Sequence, residues 1–272
     1  MYRRHRGRAV QAGLLSAALT VAAVSAGAAS SSHAATPTES ATIRTVAFEQ
    51  KQPNLSVVTR EIKENRKNLH GTVDFKYPEL RGLANGKVQK AVNDKLRSDA
   101  HKAVDDFLTD LRKNPPEPRP GTDPGAPENT SSLDGTFQPV MLGPTVVSFR
   151  QFLDHYPAGA AHPTTALQTY SFNLADGHLY TLAELFKPGA DYLGSLSKLS
   201  GKLLPIEIGD VLPEFQDGTA PKPENFEGWA LTPDGIEITF GEYQVGPYAL
   251  SMPRILILAS ALSDVARDGG PL

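Results

Sequence analysis

The sequence predicts an α+β fold, with an antiparallel, partly curved sheet packed against one long amphipathic helix and a few short helices. Three features of the 272 residues point there. One long charged stretch repeats apolar residues at spacings of three and four. Several short runs alternate apolar and polar residues and are joined by Asp-Gly turns. Strands follow strands, rather than alternating with helices as they would in a parallel β-α-β array. Cysteine is absent, so burial of a core must hold the fold without disulfides. A chain of this size can bury roughly 70% of its unfolded surface, enough for that purpose.

The elements follow in order. Residues 1–34 read as a signal peptide. M-Y-R-R-H-R-G-R is basic, an apolar stretch runs from Ala9 to Ala29, and Ser32 and Ala34 flank His33 at the exit. The protein is therefore expected to be secreted, extracellular or wall-associated. Arg3-Arg4 alone leaves the general and twin-arginine routes both open. No later window is long and apolar enough to span a bilayer, so no membrane span is expected after leader cleavage. Residues 35–55, rich in Thr and Ser, read as a flexible tail.

Residues 56–113 form a small strand-helix N-terminal subdomain. Thr72 to Tyr77 alternates Val73, Phe75 and Tyr77 on one face, and Pro78 is expected to end the strand. From Asn85 to Lys113 an apolar stripe of Val88, Val92, Leu96, Ala100, Val104, Phe107, Leu108 and Leu111 predicts a helix. Asn85 is placed to cap it, and Pro115-Pro116 forbids its continuation. Residues 114–132 are too rich in Pro and Gly to pack and read as a long loop. Within it, Asn129-Thr130-Ser131 fits a glycosylation sequon.

Residues 133–266 make a C-terminal module. Strands are predicted at 138–142, 145–156 and 166–174, the last with Leu167, Tyr170, Phe172 and Leu174 as apolar positions. Asp176-Gly177 is a turn. Thr181 caps a short helix through L-A-E-L-F, and Pro188-Gly189 stops it. Leu193, Leu196, Leu199 and Leu203 suggest a second helix. A hairpin turns at Asp234-Gly235 with Ile236, Ile238 and Phe240 on one face. Pro253 to Ala259 is a closing strand, and Ser260 to Val265 a final helical turn.

Charge narrows the partners. The whole chain has a formal net charge of −3. Removing the leader, with Arg3, Arg4, Arg6 and Arg8, leaves 23 Lys plus Arg against 30 Asp plus Glu, a net of −7. Such a surface repels nucleic acid and anionic wall polymers and attracts basic proteins. There is no G-x-S-x-G elbow, no H-E-x-x-H and no phosphate or dinucleotide loop, so no cofactor is expected.

The histidines outside the leader are His70, His101, His155, His162 and His178. His155, His162 and Asp154 could make a zinc set if their loop folded back, but no ligand spacing supports it and no metal is expected. His162 has two readings. It can serve as a general base activating Thr164 or Thr165, or it can hold a turn opened by Gly159 and closed by Pro163. G-E-Y-Q-V-G-P-Y-A (241–249) reads as an exposed loop whose Tyr243 and Tyr248 are either partner contacts or half-buried rim residues. Its alternation with Leu231 places Trp229 in the core. The binding candidates are therefore Gly159, His162, Tyr243 and Tyr248, with Glu242 and Asp154 as steering acids; His162 is the one catalytic candidate.

Two stretches resemble a known secreted family. G-A-A-H-P-T-T-A-L-Q-T-Y-S-F-N-L-A-D-G-H-L-Y-T-L-A-E-L-F (159–186) is similar to that family's Gly-Gly-Ala-His-Pro segment and the strand and short helix after it. W-A-L-T-P-D-G-I-E-I-T-F-G-E-Y-Q-V-G-P-Y-A-L-S-M-P-R-I-L-I (229–257) is similar to its closing hairpin, Tyr-x-x-Gly-Pro loop and last strand. The family comprises the extracellular domains of RsiV-like anti-sigma factors, which bind lysozyme, and the 64-type immunogenic antigens of mycobacteria. F-K-Y-P-E-L-R-G-L-A-N-G-K-V-Q-K-A-V-N-D-K-L (75–96) looks like the small domain before this module there and in some peptidoglycan deacetylases. Ala160 stands where a second glycine is common.

The resemblance implies a secreted cell-envelope binding protein recognising a protein, lysozyme or another basic one, or wall-derived material. The alternative it implies is a secreted carboxylesterase with His162 as general base.

Overall fold

The computed structural model describes residues 54–117, 121, 123, 126, 129–209 and 213–272. The signal peptide over 1–34 and nearly all of the 35–55 tail lie outside the described residues. Among those residues no helix is long and apolar enough to cross a membrane.

The fold is mixed α+β, as expected, but its strands divide between two open sheets. β1 (Ser56–Arg66), β2 (Gly71–Arg81), β3 (Ser131–Leu142), β4 (Val146–Tyr156) and β5 (Thr164–Asn173) pair in chain order. A second sheet holds β6 (Trp229–Thr232), β7 (Gly235–Thr239) and β8 (Arg254–Leu258). Every pairing is antiparallel except β2 with β3. The large sheet is thus antiparallel as expected apart from this one pairing. The helix α1 (Gly86–Lys113) and the segment after it carry the chain back before β3 begins, a crossover rather than a hairpin.

Two strand expectations need correction, and one strand, β1, has no counterpart among the predicted ones. It is an edge strand, mostly exposed, whose charges pair with those of β2 (Arg60 with Glu79 at 2.7 Å, Lys63 with Asp74 at 3.8 Å). Charge of this kind blunts a sheet edge and erases the alternation that would reveal it. β2 does not stop at Pro78, which pairs with Thr59. β3 flanks β2 only as far as Phe75, so the N–H that Pro78 lacks leaves no ladder bond broken on that side. β3 starts at Ser131 rather than Gln138, reaching into the expected Pro/Gly loop. Gly135 hides this strand in the sequence, and it is needed there: a Cβ would lie 2.5 Å from the Phe75 ring. The sequon is unsuited to a glycan, because Asn129 is buried and its Nδ2 donates to the Asp123 carbonyl at 2.7 Å.

Where β2 and β3 part, side chains take over the backbone groups. Gln151 Nε2 donates to the carbonyls of Lys76 and Thr136, both at 3.0 Å. Asn93 of α1 accepts from Leu80 N at 2.8 Å and donates to Leu80 O at 2.9 Å. Buried backbone groups need such partners.

α1 behaves as its periodicity predicts. Asn85 caps it by accepting from Lys87 N and Val88 N, and all eight stripe residues are buried. The stripe packs on one face of the large sheet, against Val147 and Phe149 of β4, Tyr170 and Phe172 of β5, and Val73, Phe75 and Leu133. Alternation sends Ser148, Arg150, Phe152 and Asp154 of β4 to the opposite face. There they meet the small sheet, with Arg150 Nη1 2.5 Å from Glu237 Oε1 and Leu231 N donating to Ser171 Oγ at 3.1 Å. The small sheet's other face makes a core with α2 (Tyr192–Ile208): Trp229, Leu231, Ile236, Ile238, Ile255 and Ile257 against Leu196 and Leu204. The hairpin at Asp234-Gly235, the buried Trp229 and the turn after Thr181 all form where expected.

Candidate functional site

Two loops that are distant in sequence meet. The first leaves β4 at Tyr156, whose hydroxyl donates to Ala160 O at 3.0 Å. Gly159 has φ +78°, which favours glycine, and lies exposed with open space where a Cβ would stand. Ala158 N donates to Ser131 Oγ at 3.0 Å, tying the loop to the start of β3. The second loop follows β7. Gln244 fastens it, accepting from Gly241 N at 2.8 Å and donating to Gly218 O and Asn225 O, both at 2.9 Å. Val245 is buried beneath it.

His162 of the first loop stacks on Tyr248 of the second, with ring centroids 4.0 Å apart and planes 27° apart. The Tyr248 hydroxyl donates to Pro163 O over a long 3.4 Å, joining residues 85 apart in sequence. Tyr243 leans on Tyr248 with centroids at 5.7 Å, and it is 51% exposed. Its φ of +60° is unusual for a bulky non-glycine residue. Such strain persists only where surrounding contacts impose it, and it concentrates at binding sites. The result is a ledge of three aromatic rings, two of them half-buried. Glu242 adjoins it, half-buried, with no ion pair among the described residues.

The chemistry of His162 is constrained by its neighbour. Its Nδ1 lies 2.8 Å from Pro163 O, and a carbonyl only accepts, so Nδ1 carries the proton. No Ser or Thr hydroxyl among the described residues is hydrogen-bonded to the ring. Thr165 instead donates to Asp154 Oδ1 at 2.6 Å. The zinc set does not assemble, since His155 and Asp154 are consecutive strand residues facing opposite ways. His155 packs edge-on against Phe107 of α1 at 5.5 Å. Among the described residues no group of three His, Cys, Asp or Glu could hold a metal ion.

Asp154 is drawn into a different place from the ledge, a polar cleft between the two sheets that also takes Thr239 and Arg254. Sequence reasoning missed both of those residues, because only the pairing of β7 with β8 sets Thr239 opposite Arg254. The Arg150–Glu237 pair was missed for the same reason. Burial pulls the Arg150 pKa down, Glu237 opposes that, and the like charge of Arg254 adds to it. A larger cavity of about 520 Å³ lies elsewhere, lined by His178, Tyr180, Glu184 and Arg267. There Glu184 bridges His178 Nε2 at 3.0 Å, and the Thr181 backbone N–H, with lesser help from side chains, holds its carboxyl below the usual range.

Comparison with known proteins places the second sheet and the loop of Tyr243 and Tyr248, but not His162, in a recognised segment. Residues 183–259 match the model of a family described as "Protein of unknown function (DUF3298)". The peptidoglycan-N-acetylmuramic acid deacetylase PdaC of Bacillus subtilis (strain 168) is 33% identical over 121 residues. That match covers 43% of this chain and 26% of the enzyme, so the likeness spans about a quarter of the relative's length. A DUF3298 family member from Bacteroides fragilis NCTC 9343 has the same fold, with a TM-score of 0.55 and 14% identity over 80% of this chain and 96% of that one. A DUF3298 family protein from Pseudomonas aeruginosa PAO1 aligns at a TM-score of 0.48 and 13% identity, over 78% and 94% of the two chains.

Proposed function

We propose that this protein is a binding protein of the cell envelope that holds wall glycan on the ledge of His162, Tyr248 and Tyr243. The observation that carries the reading is the stacking of two distant loops into one partly exposed aromatic surface. A flat ring offers a large, rigid apolar area at low entropic cost, which suits the C–H face of a sugar ring. The likeness to an enzyme whose name specifies a peptidoglycan sugar supports a cell-wall role, and so does the leader-like first 34 residues. The test is co-sedimentation of the purified chain with insoluble peptidoglycan. Replacing Tyr243 and Tyr248 together by Ala should weaken binding by about tenfold or more, the scale set by losing two aromatic anchors. Unchanged binding removes the ledge from the site.

A basic protein such as lysozyme is the second reading, favoured by exposed Tyr243 beside Glu242 and by the acidic net charge. Calorimetry with lysozyme at two salt concentrations separates the two. Electrostatically steered protein binding fades with salt, while stacking on a neutral sugar does not. The hydrolase alternative draws on the relative's deacetylase activity and needs a nucleophile beside His162. Turnover of short acyl esters that survives His162→Ala excludes that role.

A further inference from the structure

The polar cleft beside the ledge has a volume of about 290 Å³, at the small end of ligand sites. Its walls come from both sheets. Gln138, Asp154 and Thr165 project from the face of β3–β5 turned away from α1, while Thr239 and Arg254 project from paired positions on β7 and β8. The cleft adjoins both ledge loops. Thr165 lies three residues past His162, and Ser251, also in the wall, donates its backbone N–H to Tyr248 O at 2.8 Å.

Three of these side chains have unused capacity. Thr239 is 3% exposed and its hydroxyl has no hydrogen-bond partner among the described residues, an uncommon condition for a buried polar atom. The Arg254 guanidinium makes no ion pair or hydrogen bond there either. Asp154 accepts only the Thr165 hydroxyl, through Oδ1. An acid and a base thus line one small cleft without pairing with each other, and an unsatisfied hydroxyl lies in the same wall.

From this arrangement we infer that the cleft is a subsite for an acidic sugar, a hexosamine bearing a carboxylate, which Arg254 pairs while Asp154 and Thr239 take ring hydroxyls. The inference rests on the glycan reading above and names the sugar that reading leaves open. Arg254 suits the role because a guanidinium meets a carboxylate through two parallel N–H bonds. It also answers the objection raised by an acidic surface. Distant charges are screened beyond about 8 Å at physiological salt, so the local cation decides whether an anion is accepted. A carboxylate at Arg254 would further offset its repulsion of buried Arg150.

The decisive experiment is calorimetric titration of the full chain with two disaccharides, N-acetylglucosaminyl-N-acetylmuramic acid and N,N′-diacetylchitobiose. The first adds a lactyl carboxylate to a sugar skeleton the two share. The wild-type chain should prefer the acidic disaccharide by about tenfold, the scale of one charge-assisted contact. Arg254→Gln should abolish that preference by lowering affinity for the acidic disaccharide to that for N,N′-diacetylchitobiose, and Arg254→Lys should restore part of it. Arg254 is exposed and unpaired, so the glutamine variant is expected to keep the wild-type melting temperature. Equal affinity of the wild type for both sugars, or a preference that persists in Arg254→Gln, overturns the inference and leaves the ledge reading standing. Failure of the chain to bind either disaccharide or insoluble peptidoglycan overturns the glycan reading itself.

Discussion

The two faces of the five-stranded sheet are built from the same strands and solve opposite problems. Toward α1 the sheet presents Val147, Phe149, Tyr170 and Phe172, all buried against an unbroken apolar stripe. Toward the small sheet it presents Ser148, Ser171, Arg150, Asp154 and Thr165, joined by hydroxyl bonds and one ion pair. Apolar burial is worth roughly 25 cal/mol per Å² without regard to direction, so the first face supplies stability. Hydrogen bonds and buried charges are directional and nearly neutral in net energy, so the second face supplies geometry. The ledge and the cleft both lie on that second side.

Truncating the apolar face should break the molecule. Phe149 is fully buried between β4 and α1. Phe149→Ala is expected to cost about 3–5 kcal/mol, the usual range for a large core deletion. Against a total of about 5–15 kcal/mol that is a large fraction. Chemical denaturation followed by far-ultraviolet circular dichroism measures it, and a loss below about 1 kcal/mol would mean the helix face is not the main source of stability.

The polar face gives a different signature. Glu237→Ala leaves Arg150 buried without its partner, and the expected cost is about 2–3 kcal/mol. This is less than a wholly buried pair would lose, because the Glu237 side chain retains 20% of its exposure. Replacing both partners, Arg150→Met with Glu237→Leu, should return stability to within about 1 kcal/mol of wild type, since apolar residues of similar volume commonly replace such a pair without loss. A double variant as unstable as the single one would show that the pair holds the sheets together and that the second face also supplies stability.

The contrast also governs how much was legible in the sequence. The α1 stripe is visible because a 3.6-residue period needs no partner to be recognised, and all eight of its residues are buried. The β6–β7 hairpin is visible because its Asp-Gly turn is local. β1 and the first half of β3 are hidden, one by edge charges and the other by Gly135 and flanking polar residues. The division into two sheets leaves no local mark at all, since a strand's pattern says which residues share a face and not which strand pairs with it. The site divides in the same way. His162, Tyr243 and Tyr248 stand out because aromatic and titratable residues in Gly/Pro loops are conspicuous. Their stacking, and the recruitment of Thr239 and Arg254, depend on register and packing between distant strands.

The smallest expected effect is the response to acid of a polar contact outside both faces, at the turn after Thr181. The turn after Thr181 inserts Leu185 and Phe186 into the core shared by α2 and the small sheet. Glu184 holds that turn, accepting from Thr181 N at 2.7 Å and from the Thr181 hydroxyl at 2.9 Å, with His178 beside it. These bonds favour the carboxylate, so its pKa is lower folded than unfolded, where a glutamate titrates near about 4.3. Its contribution to stability is therefore fully present above that unfolded value and is lost as pH falls through the lowered folded one. The side chain keeps 39% of its exposure, so solvent screening limits the contribution to a few tenths of a kcal/mol, about 1 at most. Glu184→Gln should thus melt slightly below wild type at pH 7, and the two should converge as the pH is lowered toward about 3. Phe149→Ala carries no titrating group, so its deficit should stay parallel to wild type over the same range. Melting curves for the three proteins across that range test the point, and a Glu184→Gln deficit that persists undiminished in acid would mean that the turn is held by packing of Leu185 and Phe186 rather than by its charge.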